Sequence, residues 1–259
     1  MATALGRVRA TVLGSHIDAT DLQQCVDRIA DWAARGESRY VCACNVHSVV
    51  TARRELAFAR VLDMADIATP DGAPIAWCLR RDGLSGQQRI TGADLMWRCC
   101  ARAAAMGLPV FLYGSSPETL RRLRARLVQE FPGIALAGCY SPQYRYLTSA
   151  ADEQVVRAIE GQGARIVFVA LGCPHQEAWM AEHRGRINAV MLGVGAAFDF
   201  HAGVTARAPQ WMQDAGLEWL HRLLTEPRRL WRRYLVTNSL FLVYLLRELF
   251  HGHGERRSG

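Results

Sequence analysis

Between residue 8 and about residue 200 the chain alternates short β-rich runs with amphipathic stretches of helical period, and this alternation restricts the fold most. Each strand–helix step returns to a parallel neighbour, so the repeat predicts an α/β protein with a mainly parallel sheet and helices on both faces. The strands are read at "RVRATVLG", "RYVCACN", "DIAT" (ending at Pro70), "LPVFLYG", "GIALAGCY", "RIVFVALG" and "NAVMLGVG". Between them, helices are read at "DATDLQQCVDRIADWAA", "RRELAFARVLDMA", "GADLMWRCCARAAAMG", "SSPETLRRLRARLVQEF", "SAADEQVVRAIEG" and "HQEAWMAEH". An Asp/Thr cap opens the first helix, Gly107 closes the third, and a serine cap with Pro117 at the first helical position opens the fourth.

Past residue 210 only helix is expected, with a restart at Thr225-Glu226-Pro227. This divides the chain into a core, 1–210, and a C-terminal appendage, 211–259. The apolar run Leu240–Leu246 ends at Arg247 and is far short of the ~20 apolar residues a membrane-spanning helix needs. A helix at a membrane interface and a helix docked on the core both fit it. The final "HGHGERRSG" reads as a disordered end.

With 50% hydrophobic and 21% charged residues the 259-residue chain reads as globular. "MATALGRVRATVLG" has no apolar run of signal-peptide length, which points to the cytosol. The eight cysteines lie in apolar contexts without a CxxC pair, so reduced, buried thiols are expected rather than metal ligands or disulfides. The net charge of +7 comes from arginine alone, since the chain has no lysine. Between residues 222 and 257, eight arginines face three acids, which suggests an anionic partner for the C-terminal end. Arg228, Arg229, Arg232 and Arg233 interleave with Leu230, Trp231, Tyr234 and Leu235 ahead of "LFLVYLL", a pattern that suits an anionic lipid surface better than nucleic acid.

The chemistry concentrates at strand ends. In "ADIATPDGAPIAW", Asp71 lies between proline and glycine, where it serves either a turn or as a general base at a strand's carboxyl end. Asn45 ends "YVCACN" and stands beside Asp71 if consecutive strands pair. Gly114, Gly172, Gly193 and Gly195 mark strand-to-helix junctions where a nucleotide could approach the backbone, although glycine there is also ordinary turn chemistry. Gln176, at a helix start, is a ligand contact or a cap. Arg89 meets a phosphate or lies in a solvated loop. DxD, HExxH, GxSxG and Walker motifs are absent, so no metal pair for a diphosphate is expected.

"NVHSVVTAR", "ADIATPDGAPIAW", "RITGADL", "VFLYGSSPE", "FPGIALAG", "VALGCPHQEAW", "GVGAAFDFHAG" and "RAPQWMQDAGLEWLHRLLTEPRRLWRRYL", in this order, resemble the WecG/TagA/CpsF family of bacterial glycosyltransferases. The resemblance covers about residues 8 to 238. It implies a Rossmann-like core and an inverting, metal-independent transferase without cofactor. Such an enzyme moves a hexose-type sugar from UDP to a polyprenyl-diphosphate-linked sugar at the cytoplasmic membrane face, for cell-surface polysaccharide. It also implies an appendage that docks on the membrane and completes the active site. The family's catalytic base falls on Asp71, its substrate-binding asparagine on Asn45, its arginine before "TG" on Arg89 and its "PKQE" glutamine on Gln176. The appendage arginines fall on Arg222, Arg229 and Arg232. The family's lysine in "PKQE" is His175 here, and a hydroxyl two residues before the asparagine is Ala43. The competing classes are a nicotinamide-dependent oxidoreductase, disfavoured because the first βα junction lacks GxGxxG, and a non-catalytic membrane-binding protein. Donor sugar, acceptor sugar and oligomeric state are left open.

Overall fold

The computed structural model describes residues 7–142 and 148–255. It opens not on a strand of the main sheet but on an antiparallel hairpin, β1 (Arg9–Val12) and β2 (Ser15–Asp18), which forms a separate two-stranded sheet. Leu13 and Gly14, both at positive φ (51° and 86°), make the two-residue loop whose twist matches that of antiparallel strands. The single strand expected at "RVRATVLG" is therefore half of a hairpin. Asp18 fixes it to the core by accepting from the Ala68 N–H at 2.7 Å.

After α1 (Leu22–Ala34) and β3 (Arg39–Cys44) comes α2 (Val46–Arg54), a helix the sequence pattern did not indicate, and the helix expected over 53–65 is α3 (Leu56–Asp63), which begins only after extended Glu55. Then follow β4 (Ile67–Pro70), α4 (Ala73–Arg81), α5 (Gly92–Met106), β5 (Val110–Gly114), α6 (Pro117–Glu130), β6 (Leu136–Tyr140) and α7 (Ser149–Gly161). Next come β7 (Ile166–Ala170), α8 (His175–His183), β8 (Val190–Gly193) and α9 (Ala197–His201). Six strands form one parallel sheet in the order β4-β3-β8-β7-β5-β6.

Alternate strand residues feed two cores. Tyr40, Cys42, Val167, Val169 and Met191 pack under α2, α3, α4, α7 and α8, while Val41, Leu112, Phe168 and Leu192 pack under α1, α5, α6 and α9. All eight cysteines are unpaired, six of them buried. Since every strand of this sheet runs the same way, its carboxyl ends share one edge. The helices after β3 and β8, adjacent strands, leave toward opposite faces, which opens a crevice at that edge.

The C-terminal part is helical, with α10 (Gln210–Asp214), α11 (Glu218–Thr225) and α12 (Pro227–Glu255), the last restarting at Pro227. Of the expected disordered end, 251–255 continue this helix and 256–259 lie outside the described residues. One stripe of α12, with Leu230, Thr237, Phe241 and Leu245, is buried, and Phe241 and Leu245 join the core beneath α2. The opposite stripe exposes Trp231, Leu235, Leu242, Val243, Leu246 and Phe250. Among the described residues no helix is long and apolar enough to cross a membrane.

If α12 is held by this seam, Phe241→Ala should lower the unfolding free energy by about 3 kcal/mol. Urea denaturation measures this, and a loss below about 0.5 kcal/mol would show that α12 is not anchored there.

Candidate active site

Asp71 stands one residue beyond β4, and its N–H donates to the Cys44 carbonyl at 2.9 Å, adding a rung to the β3–β4 ladder. On the other side of the turn the Ile90 N–H donates to the Pro70 carbonyl at 2.9 Å, which brings Arg89 to the same strand end. Gly72, at φ +90°, then releases the chain into α4. Asn45 follows β3 and so stands beside Asp71. Its Oδ1 accepts from the N–H groups of His47 (3.0 Å) and Ser48 (3.3 Å) and caps α2. That leaves the amide NH2 for the Asp71 carboxylate, to which Asn45 hydrogen-bonds. The turn itself thus presents Asp71 and Asn45 together at the sheet edge.

Desolvation is the largest influence on Asp71 and lifts its pKa to about 6, with Glu218 adding to the rise. The Asn45 hydrogen bond, Arg222 and Arg89 oppose it. A carboxylate so tuned is a far better proton acceptor near neutrality than a solvated aspartate.

Arg89 is neither solvated nor free. Its guanidinium donates to Glu218 Oε2 of α11 at 2.8 Å and to Gln213 Oε1 of α10 at 3.4 Å. Arg207 reinforces this joint, lying 3.6 Å from Glu218 Oε1 and 2.6 Å from Asp94 at the start of α5. The pairs fasten α11 over the crevice and carry Arg222 into the field of Asp71. Arg222 lies 5.4 Å from the centroid of the Phe200 ring.

The other arginines diverge. Arg229 is exposed and pairs with Glu226 at 2.6 Å, and Arg232, also exposed, lies 5.2 Å from the centroid of the Trp231 ring. Arg233 turns inward instead, and burial, the first cause, lowers its pKa. Among the described residues the Nε atoms of both Arg222 and Arg233 are buried without a hydrogen-bond partner. Arg233 was not singled out as a site residue, although its place on the core-facing stripe of α12 marks it. Next to it His47 is kept neutral, with burial first and Arg233 second lowering its pKa to about 4.

Gln176 is buried among the glycine junctions. Its Oε1 accepts from the Gly172 N–H at 3.3 Å and its Nε2 donates to Glu177 Oε1 at 2.8 Å. Burial lifts Glu177 to about 7, against the hydrogen bond from Gln176. Gly193 and Gly114 have close neighbours: a Cβ on Gly193 would come within 3.0 Å of Gln176 Nε2, and one on Gly114 within 2.5 Å of the Ala170 carbonyl oxygen. Gly172 and Gly195 supply positive φ, 80° and 52°. Asp199, which the sequence reading passed over, accepts from Ser115 Oγ (3.4 Å) and Thr119 Oγ1 (3.3 Å) at this edge. His175 opens α8, and Ala43 is buried in register with Thr69, whose hydroxyl has no partner among the described residues. Among those residues no group of three or more His, Cys, Asp or Glu side chains could hold a metal ion.

A family model described as Glycosyl transferase WecG/TagA/CpsF family matches residues 10–255 of the chain.

A half-buried acid with a raised pKa costs stability once it ionises. The penalty is absent below the unfolded pKa near 4, grows as pH rises through about 6, and is complete above it. Asp71→Asn should therefore stabilise the fold by about 1–3 kcal/mol at pH 8 and by almost nothing at pH 4. Denaturation of both proteins at the two pH values measures this, and equal stabilities at pH 8 would contradict the desolvation of Asp71.

Proposed function

The chain belongs to the WecG/TagA/CpsF family of glycosyltransferases, and from that premise we propose that it is an inverting, metal-independent hexosyltransferase. Its donor is a UDP-sugar, of the UDP-glucose, UDP-N-acetylmannosamine or corresponding uronic acid type. Its acceptor is a polyprenyl-diphosphate-linked sugar used for cell-surface polysaccharide. The observation that carries this reading is the desolvated carboxylate of Asp71, aimed by Asn45 and overlooked by Arg222, whose Nε lacks a partner among the described residues.

The reaction is a single displacement. Asp71 takes the proton from an acceptor hydroxyl as that oxygen attacks the anomeric carbon, and the bond to UDP breaks on the opposite side. The diphosphate carries two negative charges in the donor and gains a third as it leaves with the bonding electron pair, which calls for preorganised cations, and Arg222 is placed to supply one. The nucleotide lies along the Gly172–Gln176 and Gly193–Gly195 loops, where the Asp199 carboxylate offers an acceptor to ribose hydroxyls. Gln176 shapes this pocket through the Gly172 backbone, and Arg89 acts through Glu218 by holding α11 closed.

Residues 1–210 form the catalytic core in this proposal, and 211–259 the appendage that completes the site. The appendage also rests peripherally on the cytoplasmic membrane face, with Arg228, Arg229 and Arg232 toward the headgroups and the outer stripe of α12 toward the acyl chains. In support, one helix carries both an exposed basic turn and an exposed apolar stripe.

The test is acceptor-dependent UDP release with a synthetic polyprenyl-diphosphate-linked sugar and a panel of UDP-sugars in EDTA. One donor should support turnover, kcat/KM should rise with pH to a plateau above about 6, and Asp71→Asn should lose about a thousandfold. Near-normal turnover by Asp71→Asn would remove this residue as the base.

A further inference from the structure

A second cationic recess lies outside the crevice just described, between α2 and α12. His47, Thr51 and Arg54 of α2 and Glu55 just after it line it together with Arg232, Arg233, Val236 and Thr237 of α12, around a cavity of about 340 Å3. Three guanidinium groups face one carboxylate, and His47 is neutral near pH 7. The lining therefore has a surplus of two positive charges, which matches the two negative charges of a diphosphate esterified at both ends. Two buried nitrogens at this recess, Arg233 Nε and His47 Nδ1, have no hydrogen-bond partner among the described residues. A guanidinium nitrogen buried without a partner is costly unless a ligand completes it.

The position of the recess narrows the ligand. At its inner end His47 donates its N–H to Asn45, the residue bonded to Asp71. At its outer end is Val236, which is exposed, as are Leu242, Leu246 and Phe250 farther along α12. A molecule with a hydroxyl at Asp71, two phosphates beside Arg54, Arg232 and Arg233, and an apolar chain along α12 would match all three zones in order.

We propose that the recess between α2 and α12 binds the diphosphate of the lipid-linked acceptor, separately from the donor diphosphate held near Arg222. This rests on the transferase reading for the identity of the acceptor, while the anion site itself stands on the recess. It assigns Arg54, Arg233 and His47 to acceptor recognition, and it moves Arg232 from the lipid headgroups to the acceptor diphosphate.

Farnesyl diphosphate is a soluble probe of a prenyl diphosphate. Calorimetry on the full-length protein with UDP saturating should show it binding still, because the two sites are distinct. Arg54→Gln and Arg233→Gln should each weaken that binding at least about tenfold while leaving the UDP Kd unchanged. Arg54 is exposed, so its substitution tests the site without endangering the fold. Farnesyl monophosphate should bind more weakly than the diphosphate to the unsubstituted protein and lose less in the variants. Displacement of farnesyl diphosphate by UDP, or variants that weaken UDP instead, would overturn the proposal by placing these arginines at the donor. Probe binding that is absent, or indifferent to both substitutions, would overturn it as well. If the transferase assay fails while this binding pattern holds, the recess stands and only the reaction assigned to it falls.

Discussion

The hydrogen bond from the Asp71 N–H to the Cys44 carbonyl, 2.9 Å long, is the constraint on which the site depends. It extends the β3–β4 pairing one residue past the strands, so a carboxylate that would otherwise swing with a loop is fixed at the sheet edge. The same rung sets Asn45 beside it. Asn45 then divides its amide between two duties, its oxygen capping α2 and its NH2 group meeting Asp71. A rigid edge makes it worthwhile to desolvate the acid, because a base with a raised pKa assists only if it is also aimed.

The C-terminal helices, which bring the charges of Glu218 and Arg222 to bear on Asp71, stay in place for two separate physical reasons. One is apolar: Phe241 and Leu245 of α12 enter the core beneath α2, each contributing about 1.5–3 kcal/mol by burial. The other is electrostatic: Arg89, Glu218, Arg207 and Asp94 link α11 to the start of α5. Glu218 has a second effect, since its charge near Asp71 raises that pKa further. The residue that closes the site therefore also tunes it. α12 satisfies the core with one stripe and keeps a second apolar stripe exposed, as an interfacial helix does.

The sheet, its order of elements and the pairing of Asn45 with Asp71 were legible in the sequence because alternation and consecutive parallel strands constrain them locally. Caps at Asp21, Ser116 and Gly107 were legible for the same reason. The hairpin was not, because its loop places Leu13, a non-glycine, at positive φ. α4 stayed hidden behind Pro-Asp-Gly-Ala-Pro, which reads as pure turn although its second proline suits a helix's first turn. Arg89 appeared to be a phosphate or solvent residue because its partner Glu218 lies 129 positions away in the chain. Among the clustered arginines, local pattern could not tell inward Arg233 from outward Arg232. Only the phase of α12 against the core separates those two neighbours.

The central claim is that Asp71 is a desolvated base, and titration of its own carboxyl tests this most directly. A 13C NMR titration of the full-length protein, with Asp71→Asn to assign the resonance, should give a midpoint of about 6. Glu218→Gln should lower that midpoint, because it removes a nearby like charge. A midpoint near the ordinary value of about 4, unmoved by Glu218→Gln, would contradict the account: Asp71 would be a solvated turn residue and the base would have to be sought elsewhere.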